Sequence, residues 1–588
     1  MSSPRIALVP LDERPACAEL PRLVAAVAGA RLLTPPAEAM PVLREPGSPA
    51  ALAGWLAEVE ADAAVVSLET LGHGGLIASR TRPATVASVT AAWASLHGLA
   101  ARGVAVHAVT LITRTPDSAD AMEEPAYWDP HGPALHRLSA DLHRSAADPA
   151  AVATTLRAAA LPTDVRADFL TRRVRNHAVN LAALELVADG TLRTLVVGAD
   201  DTAEHGLATA ELRWLDTWTA WLGLGERVSV RPGADEACTV LLARTLLDLL
   251  GGPAPTVRIE AVDPAGLRRT AAYENVPVAT TATRQLQACG AVVVPEGDTP
   301  DVVLLVHTPD GTGDWAVSPP AATDPAPARA LAARAADLLA AGQAVAVADC
   351  AQPNGADPQL VRALAEAGVL EQLTAYAGWN TAGNTLGTVA AHTVTAVAAR
   401  RAGCFDERAH RRLLLHRLVE DRGWMSGERA RIRAVLGSDP TRHDHVPDGH
   451  PVLADIADGL ARRRAELPGF DGLDIDPESV RLPWSRTFEV DFALTDSGGG
   501  CAPGSGAAPG TGGASASGSG LAPGSGGGSV SGAGPAPGPG TRTGSGSGDE
   551  ARVGGDSAPL PGSVGAAHPE AVAHPEAATR PGAPEDAR

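Results

Sequence analysis

Short, uninterrupted apolar runs alternate with longer segments of helical period along the first 495 residues. The runs lie at 6–10, 31–34, 63–68, 106–112, 192–197, 228–230, 302–306 and 345–348, with a weaker ninth at 374–377. Unbroken apolar runs suit parallel strands covered on both faces, whereas a strand with one wet face alternates. Between them, Ala/Leu/Arg segments such as 50–60, 85–102 and 357–366 predict helices. Repetition of strand and helix makes the fold class α/β. Eight or nine strands predict a (β/α)8-type barrel, with two doubly wound sheets as the alternative. The interval 256–294 has its own strand-like TVRIEAV and GAVVV, which points to an inserted subdomain over 253–300. The expected division is an α/β body over 1–403 and a helical, Arg-rich part over 404–495 that closes with a strand at 488–494. The final 93 residues, 496–588, contain 26 Gly and 12 Pro and no Phe, Trp or Tyr. Such a tail has too little apolar surface to offset its ordering entropy, so it is expected to be disordered.

The polar residues at the ends of the runs are the informative ones. The first run leads into Asp12-Glu13-Arg14, the third into Glu69 and then Gly72-His73-Gly74-Gly75, and the fourth into Arg114. The fifth ends in Asp200-Asp201, the sixth in Asp235-Glu236, the eighth in Asp349 and then Asn354-Gly355, and the ninth in Trp379-Asn380. Parallel α/β folds place ligands at the C-terminal ends of their strands. Turns favour Asp, Asn and Gly anyway, and Asp200 could cap the next helix. Recurrence at so many strand ends is what favours a site. Adjacent Asp200 and Asp201 matter most, because two neighbouring carboxylates raise one pKa, as a general acid requires.

Composition narrows the chemistry. The net charge is −20, which disfavours binding to nucleic-acid phosphates. All 48 basic residues are arginine, so there is neither a Schiff-base lysine nor a GxxxxGK[ST] phosphate loop. Six scattered cysteines, Cys17, Cys238, Cys289, Cys350, Cys404 and Cys501, form no CxxC pair. HExxH and GxSxG are absent. A divalent cation held by Asp200, Asp201 and Asp235 stays open, and no organic cofactor is expected. With no secretory leader pattern and no long apolar span, a cytoplasmic protein without membrane contact is expected.

The motifs PLDERP, SLETLGHGGLIASR, RNHAVN, GADDTAEHG, PGADE, ADCAQPNGAD and GWNTAGNTLGT resemble, in this order, the bacterial domain of unknown function 4127 family over roughly residues 6–494. That resemblance implies no activity, so chemistry must come from the strand-end residues. They suggest a hydrolase of glycosidic bonds acting on a small polar substrate of carbohydrate type. Asp200 and Asp201 are the leading acid and partner, with Glu69, Asp235 and Glu236 as alternatives. Asp12, Arg14, His73, Arg114, Asp349, Asn354 and Asn380 would bind substrate, with Trp379 stacking on a sugar ring. A non-catalytic sugar-binding cleft and a metal-dependent hydrolase are the competing readings.

Overall fold

In a computed structural model the described residues are 3–321 and 324–496, and the apolar runs become two open parallel sheets. The first contains β1 (Arg5–Val9), β2 (Arg31–Leu33), β3 (Ala63–Ser67), β4 (Ala105–Ile112), β5 (Thr194–Ala199) and β6 (Val228–Pro232). Its strand order is β2-β1-β3-β4-β5-β6. The second contains β7 (Thr256–Glu260), β8 (Val292–Val293), β9 (Val302–His307), β10 (Ala344–Asp349) and β11 (Ala375–Ala377), in the order β11-β10-β9-β7-β8. The expected barrel is therefore corrected to its alternative, two doubly wound sheets. Each sheet reverses direction of growth, at β1/β3 and at β7/β9, which leaves free edges where a barrel would have closed. Residues 253–300, expected as an insertion, supply β7 and β8 to the second sheet. Burial explains the unbroken apolar runs: all five residues of β3 and all six of β5 and β9 are buried.

Two helices make the seam between the sheets. Ala237–Leu250 packs on β3 and β4, Ala382–Ala402 packs on β10 and β11, and the two helices pack on each other. Ala382–Ala402 is buried from Ala382 through Ala399, which accounts for its lack of a polar stripe. Its glycines permit the close approach. A Cβ on Gly387 would run into Glu236 Cγ and stand 2.8 Å from Gln285 Oε1.

The C-terminal part wraps back onto both halves. Helix Glu407–Leu418 continues into a π-helical stretch, Val419–Glu428, and then into helix Arg429–Leu436. Asp421 in that stretch accepts the Gly378 N–H at 2.7 Å, and its carbonyl accepts from Ala356 N at 2.9 Å. The helical stretch thus grips the loops after β10 and β11. The strand expected at 488–494 is shorter and later. Only β13 (Leu494–Asp496) forms, antiparallel to β12 (Leu473–Ile475). Apart from Asp496, the Gly/Pro-rich tail lies outside the described residues. Among the described residues no helix is long and apolar enough to cross a membrane.

Candidate functional site

Backbone geometry brings the ends of β5 and β6 together. Gly233, at φ 102°, donates its N–H to Ala199 O at 3.1 Å. A Cβ on Gly198 would stand 2.8 Å from Leu111 Cδ2 and collide with Gly233 O, so glycine is what lets the strand ends meet. Asp200 and Asp201 leave from one side of this junction and Asp235 from the other. All three line a cleft of about 240 Å³, together with Arg14, Arg80, Arg114, Asn354 and Asn380.

Arginines hold the acids. Arg14 Nη2 lies 2.8 Å from Asp12 Oδ2 and 2.6 Å from Asp235 Oδ1, and its Nη1 is 3.3 Å from Glu489 Oε1. Arg80 pairs with Asp200, and with Glu123 at 3.0 Å and Glu124 at 3.3 Å. Arg114 reaches Glu123 at 3.1 Å, Glu124 at 2.9 Å and Asp201 at 3.2 Å. Arg486 pairs with Glu123 and stands over the Trp484 and Phe488 rings at 4.6 and 5.2 Å. Arg14 covers the Trp484 ring as well, at 4.4 Å.

The network divides the carboxyls into two kinds. Burial would raise Glu123, but Arg114, Arg486 and Arg80 outweigh it and hold this acid well below the usual carboxylate range. Burial, and then the Asp200 charge, push Asp201 up to about 7 against the pull of Arg114 and Arg80. Burial likewise lifts Glu489 to about 7 despite Arg14 and Arg486. It also raises Asp235 against Arg14, with Asp12 and Asp200 adding to the rise. Asp201 and Glu489 are therefore carboxyls able to exchange a proton near neutrality.

Strained backbone collects at the same place. Seven non-glycine residues among those described have positive φ, and Asp201 (36°), Tyr273 (64°), Asn354 (62°) and Asn380 (59°) line the cleft. Trp484 and Ser485, at 56° and 53°, directly precede Arg486. Such conformations cost on the order of 1–3 kcal/mol each, less for Asn and Asp, and persist where surrounding contacts impose them. Those contacts are visible. Asn354 N donates to Asn380 O at 2.7 Å, and Thr202 N donates to Tyr273 O at 2.8 Å. Asp314 accepts from Tyr273 Oη at 2.7 Å and from Asn354 Nδ2 at 3.0 Å.

Seven expected site residues thus share the cleft lining: Arg14, Arg114, Asp200, Asp201, Asp235, Asn354 and Asn380. Asp12 lies behind Arg14 as its ion partner. Glu69 is elsewhere, since its carboxylate accepts Leu111 N at 2.6 Å and Thr110 Oγ1 at 3.1 Å and ties β3 to β4. Glu236 is spent on Arg231 at 2.6 Å and Gln285 at 2.8 Å, under the seam. His73 ends the short helix Leu68–His73, capped by left-handed Gly74, and does not line the cleft. Asp349 lines a neighbouring cavity of about 610 Å³ that meets the cleft at Tyr273 and Asn380. There it caps Asp357 N at 2.6 Å. Trp379 is 2% exposed within the second sheet's core, so it cannot stack on a ligand.

Sequence reading missed Arg80, Glu123, Tyr273, His443, Arg486, Phe488 and Glu489. Arg80 sits on a helix, and the last four come from the C-terminal part, whose loops follow no apolar run. The expected cation set, Asp200, Asp201 and Asp235, is not the one whose ligand atoms converge among the described residues. Asp12, Cys17 and Asp235 are the described residues whose ligand atoms gather within 4.8 Å of one another. Arg14 already contacts both of those carboxylates and lies 3.8 Å from Cys17 Sγ, so a guanidinium stands where an ion would. Burial and then Asp12 hold the Cys17 thiol well above its ordinary pKa, which disfavours the thiolate a metal needs.

Fold and cleft together define an open, doubly wound α/β protein with a charged pocket at the carboxyl ends of its strands. The chain belongs to the family described as protein of unknown function (DUF4127), whose profile matches residues 6–493. No curated protein matches it.

Proposed function

We propose that the cleft hydrolyses a glycosidic bond, with Asp201 as the proton donor. The observation supporting this most is the environment of Asp201, a partly buried carboxyl raised to about 7 on strained backbone at the cleft wall. In the proposed reaction Asp201 gives its proton to the glycosidic oxygen as the C–O bond breaks, and the leaving group departs as an alcohol. Asp235, held by Arg14, faces the developing positive charge. It then either bonds to the anomeric carbon or takes a proton from the attacking water, and the product configuration distinguishes the two. Asn380 Nδ2, 3.4 Å from Asp235 Oδ2, orients that carboxylate.

The test is a chromogenic glycoside panel run with and without a chelator, on the parent protein and on Asp201→Asn and Asp235→Asn. Loss of positioned acid catalysis costs about 10²–10⁴-fold in rate. Full turnover in both variants would remove this pair from the reaction, and turnover abolished by chelator would move the chemistry to a metal. A second reading, a cleft that binds a small polar ligand without reaction, is favoured by the arginine pairing of Asp200 and Asp235. Saturable sugar binding with no turnover by the parent protein would select it.

A further inference from the structure

One cation in the cleft differs from the rest. Arg429 opens helix Arg429–Leu436, with Arg433 one turn later on the same face, and both line the cleft. Arg429 is 6% exposed. Its Nε donates to Thr487 O at 2.9 Å and its Nη1 to Ala316 O at 3.3 Å, while Phe488 lies against the guanidinium at 5.7 Å. Among the described residues its Nη2 donates to nothing, and no carboxylate lies within ion-pairing distance. Each other arginine of the lining has an acid of its own, including Arg433 with Asp444 at 2.6 Å and Arg442 with Asp129 at 2.8 Å.

The two acids that act on its charge, Asp444 and Asp314, are already engaged. Asp314 accepts from Tyr273, Asn354, Ala316 N and Val317 N, and Asp444 accepts from Arg433 and Thr487. A buried cation with an unused donor is costly unless a counter-charge reaches it. In agreement, burial and then Arg433 bring the Arg429 pKa down to about 10. The π-helical stretch immediately before Arg429 is the kind of irregularity often found where a helix must aim one side chain.

We propose that Arg429 anchors an anionic group, a carboxylate or a phosphate, on the ligand of this cleft. A guanidinium donates directionally to either, and shielding from water strengthens the contact. The choice of sugars as probes rests on the glycoside reading. The anchor itself is read by equilibrium binding, so its failure and that of the hydrolytic reading are separable.

The experiment is calorimetric titration of the full chain with D-glucuronate, D-glucose 6-phosphate and D-glucose. It is repeated with Arg429→Met and with Arg429→Gln, whose amide can still serve one of the two carbonyls, after thermal unfolding has confirmed that each variant is folded. In the parent protein at least one charged sugar is expected to bind about 10- to 100-fold tighter than glucose, as one charge-assisted contact allows. The charged sugar that binds tighter tells carboxylate from phosphate. The preference should vanish in both variants and shrink as salt rises from about 0.05 to 0.5 M. Equal binding of all three sugars by the parent protein, or a preference that survives in a folded variant, would overturn the proposal. If neither variant folds, a preference indifferent to salt overturns it instead.

Discussion

Asparagine at position 201 should make the protein more stable while it removes the proposed acid. A carboxyl carried from 3.8 to about 7 stands for about 4 kcal/mol between its two protonation states. The Asp201 side chain is 28% exposed and has Arg114 at 3.2 Å, so about 1–2 kcal/mol is the reasonable gain once solvent and pairing are counted. The sign follows from proton binding. Between about pH 4 and 7 the folded state holds a proton that the unfolded chain has lost. Stability therefore falls as pH rises through this window, and the penalty is complete above about pH 7. Asparagine carries no such penalty, and φ 36° suits it as well as aspartate. A body of about 490 residues unfolds with an entropy near 1 kcal/mol/K, so each kcal/mol moves the Tm by about 1 °C. Scanning calorimetry of parent and variant should give a rise of about 1–2 °C at pH 8.5, and a smaller rise at pH 5. An unchanged or lower Tm at pH 8.5, or an equal rise at both values, would refute the account of Asp201.

Three further outcomes follow from particular contacts. Arg486→Met leaves buried Glu123 and Glu489 short of a counter-charge, and denaturant titration should show a loss of about 3–5 kcal/mol. Gly387→Ala forces a methyl onto Glu236 across the helix seam, for about 1–3 kcal/mol in the same assay. Trp379→Phe should cost less than about 1.5 kcal/mol, because its indole N–H has no partner to lose. Its sugar affinity, read calorimetrically, should match the parent's, as a core residue requires and a stacking platform would not.

Those contacts also show which parts of the molecule were legible in the sequence. β3, β5 and β9 were, because strands buried on both faces leave unbroken apolar runs. The short β2, β8 and β11 were only partly so, since two or three residues make little pattern. Whether the strands close into a barrel or divide into two sheets depends on the neighbours of β1 and β7, which periodicity along one strand does not encode. At the site, Asp200, Asp201 and Asp235 were legible because they directly follow strands. Glu69 and Glu236 also follow strands, yet they turn into hydrogen bonds beneath the surface. One residue of register separates Asp235 in the cleft from Glu236 under the seam. Arg429 and Arg486 carried no comparable mark, because arginine is the chain's sole basic residue and recurs on many solvated helix faces.

The pairing of Arg14 with Glu489 spans 475 positions of sequence, and Arg486 closes the same wall. A ribosome therefore releases both sheets, and every candidate acid of the cleft floor, before the residues that complete the pocket exist. A chain interrupted between Ala377 and Arg486 keeps all eleven strands of the two sheets but leaves Arg14 without Glu489 and Glu123 without Arg486. Partial products should thus be inert, with no weakened activity of their own. Closing so long a loop is slow and entropically expensive, so gain of function should lag behind gain of secondary structure during refolding. Separately made fragments divided between residues 403 and 486 would provide a complementation assay, in which function returns only when the two pieces find each other.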